Sequence, residues 1–319
     1  MFRLLLLLSL ASASLTALGQ DKDIRITPAW ILGDTRVVRT TVNLRMHLSD
    51  SMDMKESSIS SYHLSVRERR KDGSKLSISF APEDLLPRME VDMTGATPAA
   101  ANAMIAANAP LKHMNNAVEG PMHGLVLDYN VGLKGDLIGP VQDDAAKEKL
   151  LDALATGAGT YYSTVSNGPK FSKPQIYHLC DSMRDDLAAS LENEMSLLLD
   201  GYQYAYPAKG SKREPMQVKD VQAPMFPDIP ELPAMVEYGF DEISADRAVC
   251  RVVFQYDQKA LRAALVKEGQ KVERLDLSEE RVYTFDRRSG WLISASQAVT
   301  LVKDQVRVNM VTRSDLSPK

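Results

Sequence analysis

Cysteine, tryptophan and histidine are scarce in this chain: two, two and five copies among 319 residues. The histidines are His47, His63, His113, His123 and His178, and none falls in a His-Glu-x-x-His or other zinc spacing. No Gly-x-Ser-x-Gly or Ser-x-x-Lys is present, so the common serine-nucleophile motifs are excluded. A phosphate-cradling glycine loop is missing too, because Gly157-Ala158-Gly159 follows a helical pattern and not a strand. Charge of one sign is also lacking: 38 Lys and Arg against 42 Asp and Glu leave a net charge of -4, which supplies no basic field for nucleic acid. Past the N-terminus no segment is apolar enough to span a bilayer as a helix.

The N-terminus carries the one long apolar run. Arg3 precedes Leu4–Leu8, and Ala17-Leu18-Gly19 puts small residues where a signal peptidase reads, so residues 1–19 are expected to be a signal peptide cleaved before Gln20. Without a cysteine near that point a lipoprotein anchor is not expected, and the mature chain is expected in the periplasm or outside the cell. Cys180 and Cys250 then have two open readings in an oxidising compartment: a disulfide stapling helix to sheet, or two buried thiols.

Alternation of apolar and polar residues dominates both ends. Val38, Thr40, Val42, Leu44, Met46 and Leu48 share one face of a long strand, and Tyr62, Leu64 and Val66 resume that face after a polar loop around Asp50–Ser57. Pairing Leu48 near Ser58 sets His63 opposite Asn43, about 13 Å from His47, with both histidines facing solvent. Lys71-Asp72-Gly73 turns the chain into Lys75–Phe80. At the other end, Val236–Glu242 and Ala248–Tyr256 read as a hairpin. Arg281–Arg287, a strand placing Trp291, Ile293, Ala295, Val299 and Leu301 on one face, and Gln305–Met310 follow.

The middle is helical. Thr97–Asn108, Asp143–Leu154 and Gln258–Lys267 read as helices, Gly157–Gly168 as a loop or short strand, and Ile176 to Leu198 as the longest helix and the lid over the sheet. Six prolines between Pro207 and Pro233 predict a linker or draped segment. The sum is a single α+β domain over residues 20–319: strand-rich 20–81, mixed 82–205, proline-rich 206–233 and strand-rich 234–319. Its curved, half-barrel-like antiparallel sheet is covered by central helices.

The leader, the strand Ser61–Arg69 closed by Lys71-Asp72-Gly73, the Gly120–Gly139 hairpin and the turn Phe285-Asp286-Arg287-Arg288-Ser289-Gly290-Trp291 together resemble a family of exported bacterial β-rich proteins of about this length, one that brings no activity or site residues with it. The layout is also similar to periplasmic carriers in which a curved antiparallel sheet holds a lipid beneath helices, which implies an apolar ligand between sheet and lid.

Fifteen methionines are many, and Met89, Met93, Met104, Met114 and Met122 gather centrally, where flexible thioethers suit an adaptable apolar groove or fill a core. The ligand-contacting candidates are Met104, Met114, Met122, Met183, Leu187 and Trp291. Met52-Asp53-Met54 offers soft-metal donors, and the basic hairpin end Arg67, Arg69, Arg70 and Lys71 either meets anionic groups or is a solvated strand end. No catalytic residue, metal or cofactor is assigned. The function expected is an exported non-enzymatic binding protein for an apolar molecule, a lipid or an envelope partner, with neither nucleic acid nor membrane span. The alternatives are a structural envelope protein working by protein contacts, and a hydrolase with dispersed residues around His113 and His123.

Overall fold

The structure, a computed structural model, describes residues 23–49, 52–84, 88–94, 119–120, 122–140, 144–164, 171–221, 229–266 and 272–319. The strands in the N-terminal part are β1 (Ile24–Arg25), β2 (Thr35–Ser49), β3 (Met52–Arg69), β4 (Gly73–Ser79), β5 (Arg88–Thr94), β6 (Val126–Gly132) and β7 (Leu137–Pro140). Two long helices follow, α1 (Asp144–Thr164) and α2 (Lys173–Asp200). After them come β8 (Ala205–Tyr206), β9 (Ser211–Val221), β10 (Ile229–Ile243), β11 (Arg247–Tyr256), α3 (Gln258–Val266), β12 (Leu275–Asp286), β13 (Leu292–Lys303) and β14 (Val306–Pro318).

Twelve of the described strands form one antiparallel sheet in the order β7-β6-β4-β3-β2-β14-β13-β12-β11-β10-β9, with β5 on the first half of β3. The fold is the expected α+β arrangement, and its sheet is open, with edges at β7 and β9. The two strand-rich ends are halves of one sheet because β14 pairs with β2 from Arg307↔His47 to Pro318↔Arg36. Dry residues of both strands share a face there: Val38 is opposite Leu316, and both are buried. A separate two-stranded piece, β1 with β8, lies beside the main sheet's β9 end.

The sheet curls around α2. The Gly132–Asp136 turn near one edge brings Gly135 against Tyr202, and the Tyr202 hydroxyl donates to Gly290 O (2.8 Å) and accepts from Leu292 N–H (3.0 Å) at the β12–β13 turn. Strands far apart in the sheet order therefore meet at one aromatic ring. On α2 the residues Leu191, Met195 and Leu198 recur at helical spacing and are buried. Gly201, just past the helix, lies so close to the sheet that a Cβ there would come within 2.6 Å of Tyr283 and 2.8 Å of Phe285. Beneath Leu191, Met195 and Leu198 the described space between helix and sheet is filled core.

Several expectations change. The hairpin between β2 and β3 closes between Ser49 and Met52, so Asn43 pairs with Ser57, His47 with Asp53 and His63 with Val37. Asp53–Ser57 is strand because β3 runs unbroken until it has paired all of β2. His63 is buried at 6% exposure, not solvent-facing. A bulge pairs Thr284 with Ser294 and Phe285 with Leu292, so Ala295, Val299 and Leu301 keep the expected buried face while the extra residue Ile293 is turned out, 41% exposed. Helix α1 runs through Gly157-Ala158-Gly159 to Thr164; buried Gly157 and Ala158, and Gly159 beside Ile176, allow close approach to α2. The proline-rich segment is largely strand. β9 is an edge, where the missing N–H of Pro215 costs no ladder bond, and Pro233 lies beyond the β10–β11 pairing that starts at Ala234↔Tyr256.

Candidate functional site

A cleft of about 720 Å³ opens where the last turns of α2 leave the sheet and the edge strand β9 begins. Asn193, Ser196, Leu197 and Asp200 of α2 form one wall, and Gln203, Tyr204, Ala205 and Arg25 close one end. The opposite wall is β9 from Lys212 to Lys219, with Tyr238, Phe254, Arg281 and Gln297 as floor. Register explains the floor: Tyr238 pairs with Lys212 and Arg281 with Gln297, so these residues share the inner face with buried Val236 and Tyr283.

Arg281 is the centre of a buried polar network. Its Nε donates to Glu279 Oε1, its Nη1 is 3.1 Å from Asp200 Oδ2, and its guanidinium lies 4.6 Å from the centre of the Phe254 ring. Glu279 Oε1 also accepts from Gln297 Nε2 (2.6 Å), and Oε2 accepts from the Tyr256 hydroxyl (2.5 Å). Tyr283 donates to Asp200 Oδ2 at 2.6 Å. Burial alone would lower the Arg281 pKa, but the Asp200 and Glu279 carboxylates override it and hold the guanidinium above its ordinary value. Burial, reinforced by those carboxylates, pushes the Tyr256 and Tyr283 phenols up. Both phenols therefore stay neutral donors. Nearer the rim, Glu214 takes the Tyr238 hydroxyl (2.6 Å) and Lys212 Nζ (3.0 Å); the first of these bonds, then the second, holds its carboxyl below the usual range.

The residues expected to touch a ligand lie elsewhere. Trp291 is 2% exposed, packed 5.2 Å from Trp30 between ring centres, capped by Arg36 at 5.0 Å and bonded through Nε1 to Asp34 (3.0 Å). It clasps the 26–34 segment to the sheet end. Met122 is equally buried, in core. Met183 and Leu187 fall on α2, while Met104 and Met114 lie outside the described residues, as do His113 and the Thr97–Asn108 helix. The register does set Met46 opposite Met54 and Met54 opposite Met93 on the neighbouring strands β2, β3 and β5. Cys180 and Cys250 form no bridge; both are free, buried thiols, and burial pushes Cys250 up to about 12. At the basic hairpin end Arg70 pairs with Glu68 at 2.5 Å, which also holds Lys75 at 3.1 Å, and Arg69 donates to Ser74 Oγ at 3.0 Å.

The cleft residues carried a sequence signal that was passed over. Glu279 and Arg281 share parity with Tyr283 and Phe285, and Gln297 with Ala295 and Val299, so charged and amide groups stand on an otherwise dry face. Polar residues at core positions mark either a satisfied network or a site.

No family model matches the chain, and no curated protein matches it in sequence. Among solved structures, a chain in a structure described as lipid-protein interactions in lipovitellin aligns at a TM-score of 0.46 with 8% identity, over 91% of this chain and 25% of that one. This chain thus spans about a quarter of that chain's length.

Proposed function

We propose that this is an exported, non-enzymatic binding protein that holds an apolar or amphipathic small molecule in the cleft between α2 and strands β9–β13. The observation that carries the reading is the cleft itself: about 720 Å³, with an apolar part formed by Leu197, Tyr204, Met216, Val218, Tyr238 and Phe254 among six charged and several neutral polar side chains. A concave site of roughly 300–1,000 Å³ with apolar walls and a small number of fixed polar groups is the usual form of a small-molecule site. The leader-like run Leu4–Leu8 and the small residues Ala17 and Gly19 support export.

Solvent extraction of purified protein followed by mass spectrometry is expected to recover a co-purifying amphiphile, and the protein is expected to take up long-chain probes. Leu197→Trp projects an indole into the cleft and is expected to abolish uptake while the circular dichroism spectrum is unchanged. Empty extracts together with no uptake of any chain probe by the unmodified protein would remove the proposal.

A further inference from the structure

The charged groups of the cleft are unevenly engaged. Six charged side chains line it, the cations Arg25, Lys212, Lys219 and Arg281 against the anions Asp200 and Glu214. The anions are already satisfied by protein donors. Asp200 Oδ2 holds Tyr283 and Arg281, and the two Glu214 oxygens hold Tyr238 and Lys212. Glu279 behind the floor is filled in the same way by Arg281, Gln297 and Tyr256.

The cations are not used up. Neither Lys219 nor Arg25 makes an ion pair among the described residues; Arg25 Nη1 donates to Gln203 O (3.1 Å), and Glu231 stands opposite Lys219 in the β9–β10 register. Arg281 is held between Glu279 and Asp200, and a guanidinium carries five donors. Beside the neutral Asn193, Ser196, Gln203, Gln217 and Gln297, a polar ligand entering here meets an excess of positive charge, and the two carboxylates it meets already hold protein donors. We infer that the cleft takes an anionic amphiphile, its carboxylate or phosphate held by Arg25, Lys219 and Arg281, its chain along Leu197, Met216 and Val218.

This rests on the binding function proposed above, and one set of titrations separates the two. Dodecyl phosphate, dodecanol and inorganic phosphate are titrated separately into the full protein by calorimetry, below the micelle threshold and at low and high salt. Dodecyl phosphate is expected to bind about tenfold or more tightly than dodecanol, the gain of roughly one charge-assisted contact. That advantage is expected to shrink as salt screens the exposed rim. The double variant Arg25→Gln/Lys219→Gln changes two exposed side chains and is expected to lose most of the advantage of dodecyl phosphate over dodecanol; an undiminished advantage contradicts the assignment. Inorganic phosphate matching dodecyl phosphate supports the anion site and assigns it to the free ion instead of a lipid head group. Equal affinity for dodecanol and dodecyl phosphate in the unmodified protein overturns the anion preference and leaves the binding function standing. Absence of binding by either chain overturns both.

Discussion

Glu194 sends a carboxyl group from α2 into the sheet. Thr40 Oγ1 donates to it, and Thr40 Oγ1 is 2.9 Å from Ser314 Oγ. Burial raises the Glu194 pKa against the lowering effect of Thr40 and Tyr62, and burial first and the Glu194 charge second hold the Tyr62 phenol well above its ordinary range. A carboxyl whose pKa is higher folded than unfolded binds its proton more tightly in the native state. Its contribution is full below the unfolded glutamate value, about 4.3, and is lost as pH rises through the folded value. Glu194→Gln is therefore expected to match the unmodified protein at pH 4 and to exceed it in stability at pH 8; urea unfolding at both pH values checks this, and an unchanged difference between them contradicts it. Tyr202 is the other residue on which much converges. Tyr202→Phe keeps the ring and loses both bonds to the β12–β13 turn, at an expected cost of about 1–3 kcal/mol in urea unfolding. Cys180 and Cys250 are expected to react with a thiol reagent only on unfolding, and reducing agent is expected to leave the melting temperature unchanged.

At the scale of elements, β9 shows how an edge strand is guarded. Its inner face carries the charged pair Lys212 and Glu214 where neighbouring strands carry apolar residues, and Pro215 interrupts its row of free N–H groups. Pro215→Val restores a donor and adds a β-branched side chain on an exposed edge. It is expected to make the protein self-associate, which light scattering at rising concentration measures; a variant that stays monodisperse shows that the charges alone suffice. Helix α2 has a comparable guard at its start, where Gln175 Oε1 accepts from Ser172 N–H at 2.9 Å. The β2, β3, β6, β10, β11 and α2 patterns were legible because each buries one face and leaves the other wet. Three departures, the helix through Gly157–Thr164, the strands in the described part of the proline-rich segment and the outward turn of Ile293, share another cause. Glycine, proline and a bulge have local preferences that neighbouring elements overrode, through close helix packing, an edge position and an extra residue.

At the scale of the molecule, the β2–β14 pairing ties the first strand-rich region to the last, and α2 is buried against both. One cooperative unfolding transition is expected, with tryptophan fluorescence and far-ultraviolet circular dichroism coincident. Two separated transitions would show that the halves hold together only weakly. Period-two alternation in the sequence by itself determined that the protein has an antiparallel sheet with one dry face, and period 3.6 determined that a long helix covers it, since each pattern is a local consequence of side-chain direction along the backbone. The tertiary structure alone decided which strands meet, that Trp291 and Met122 are core, and that Arg281 of β12 faces Asp200 of α2. Those outcomes depend on how far the sheet curls and where the helix leaves it, and contacts between residues distant in the chain set both.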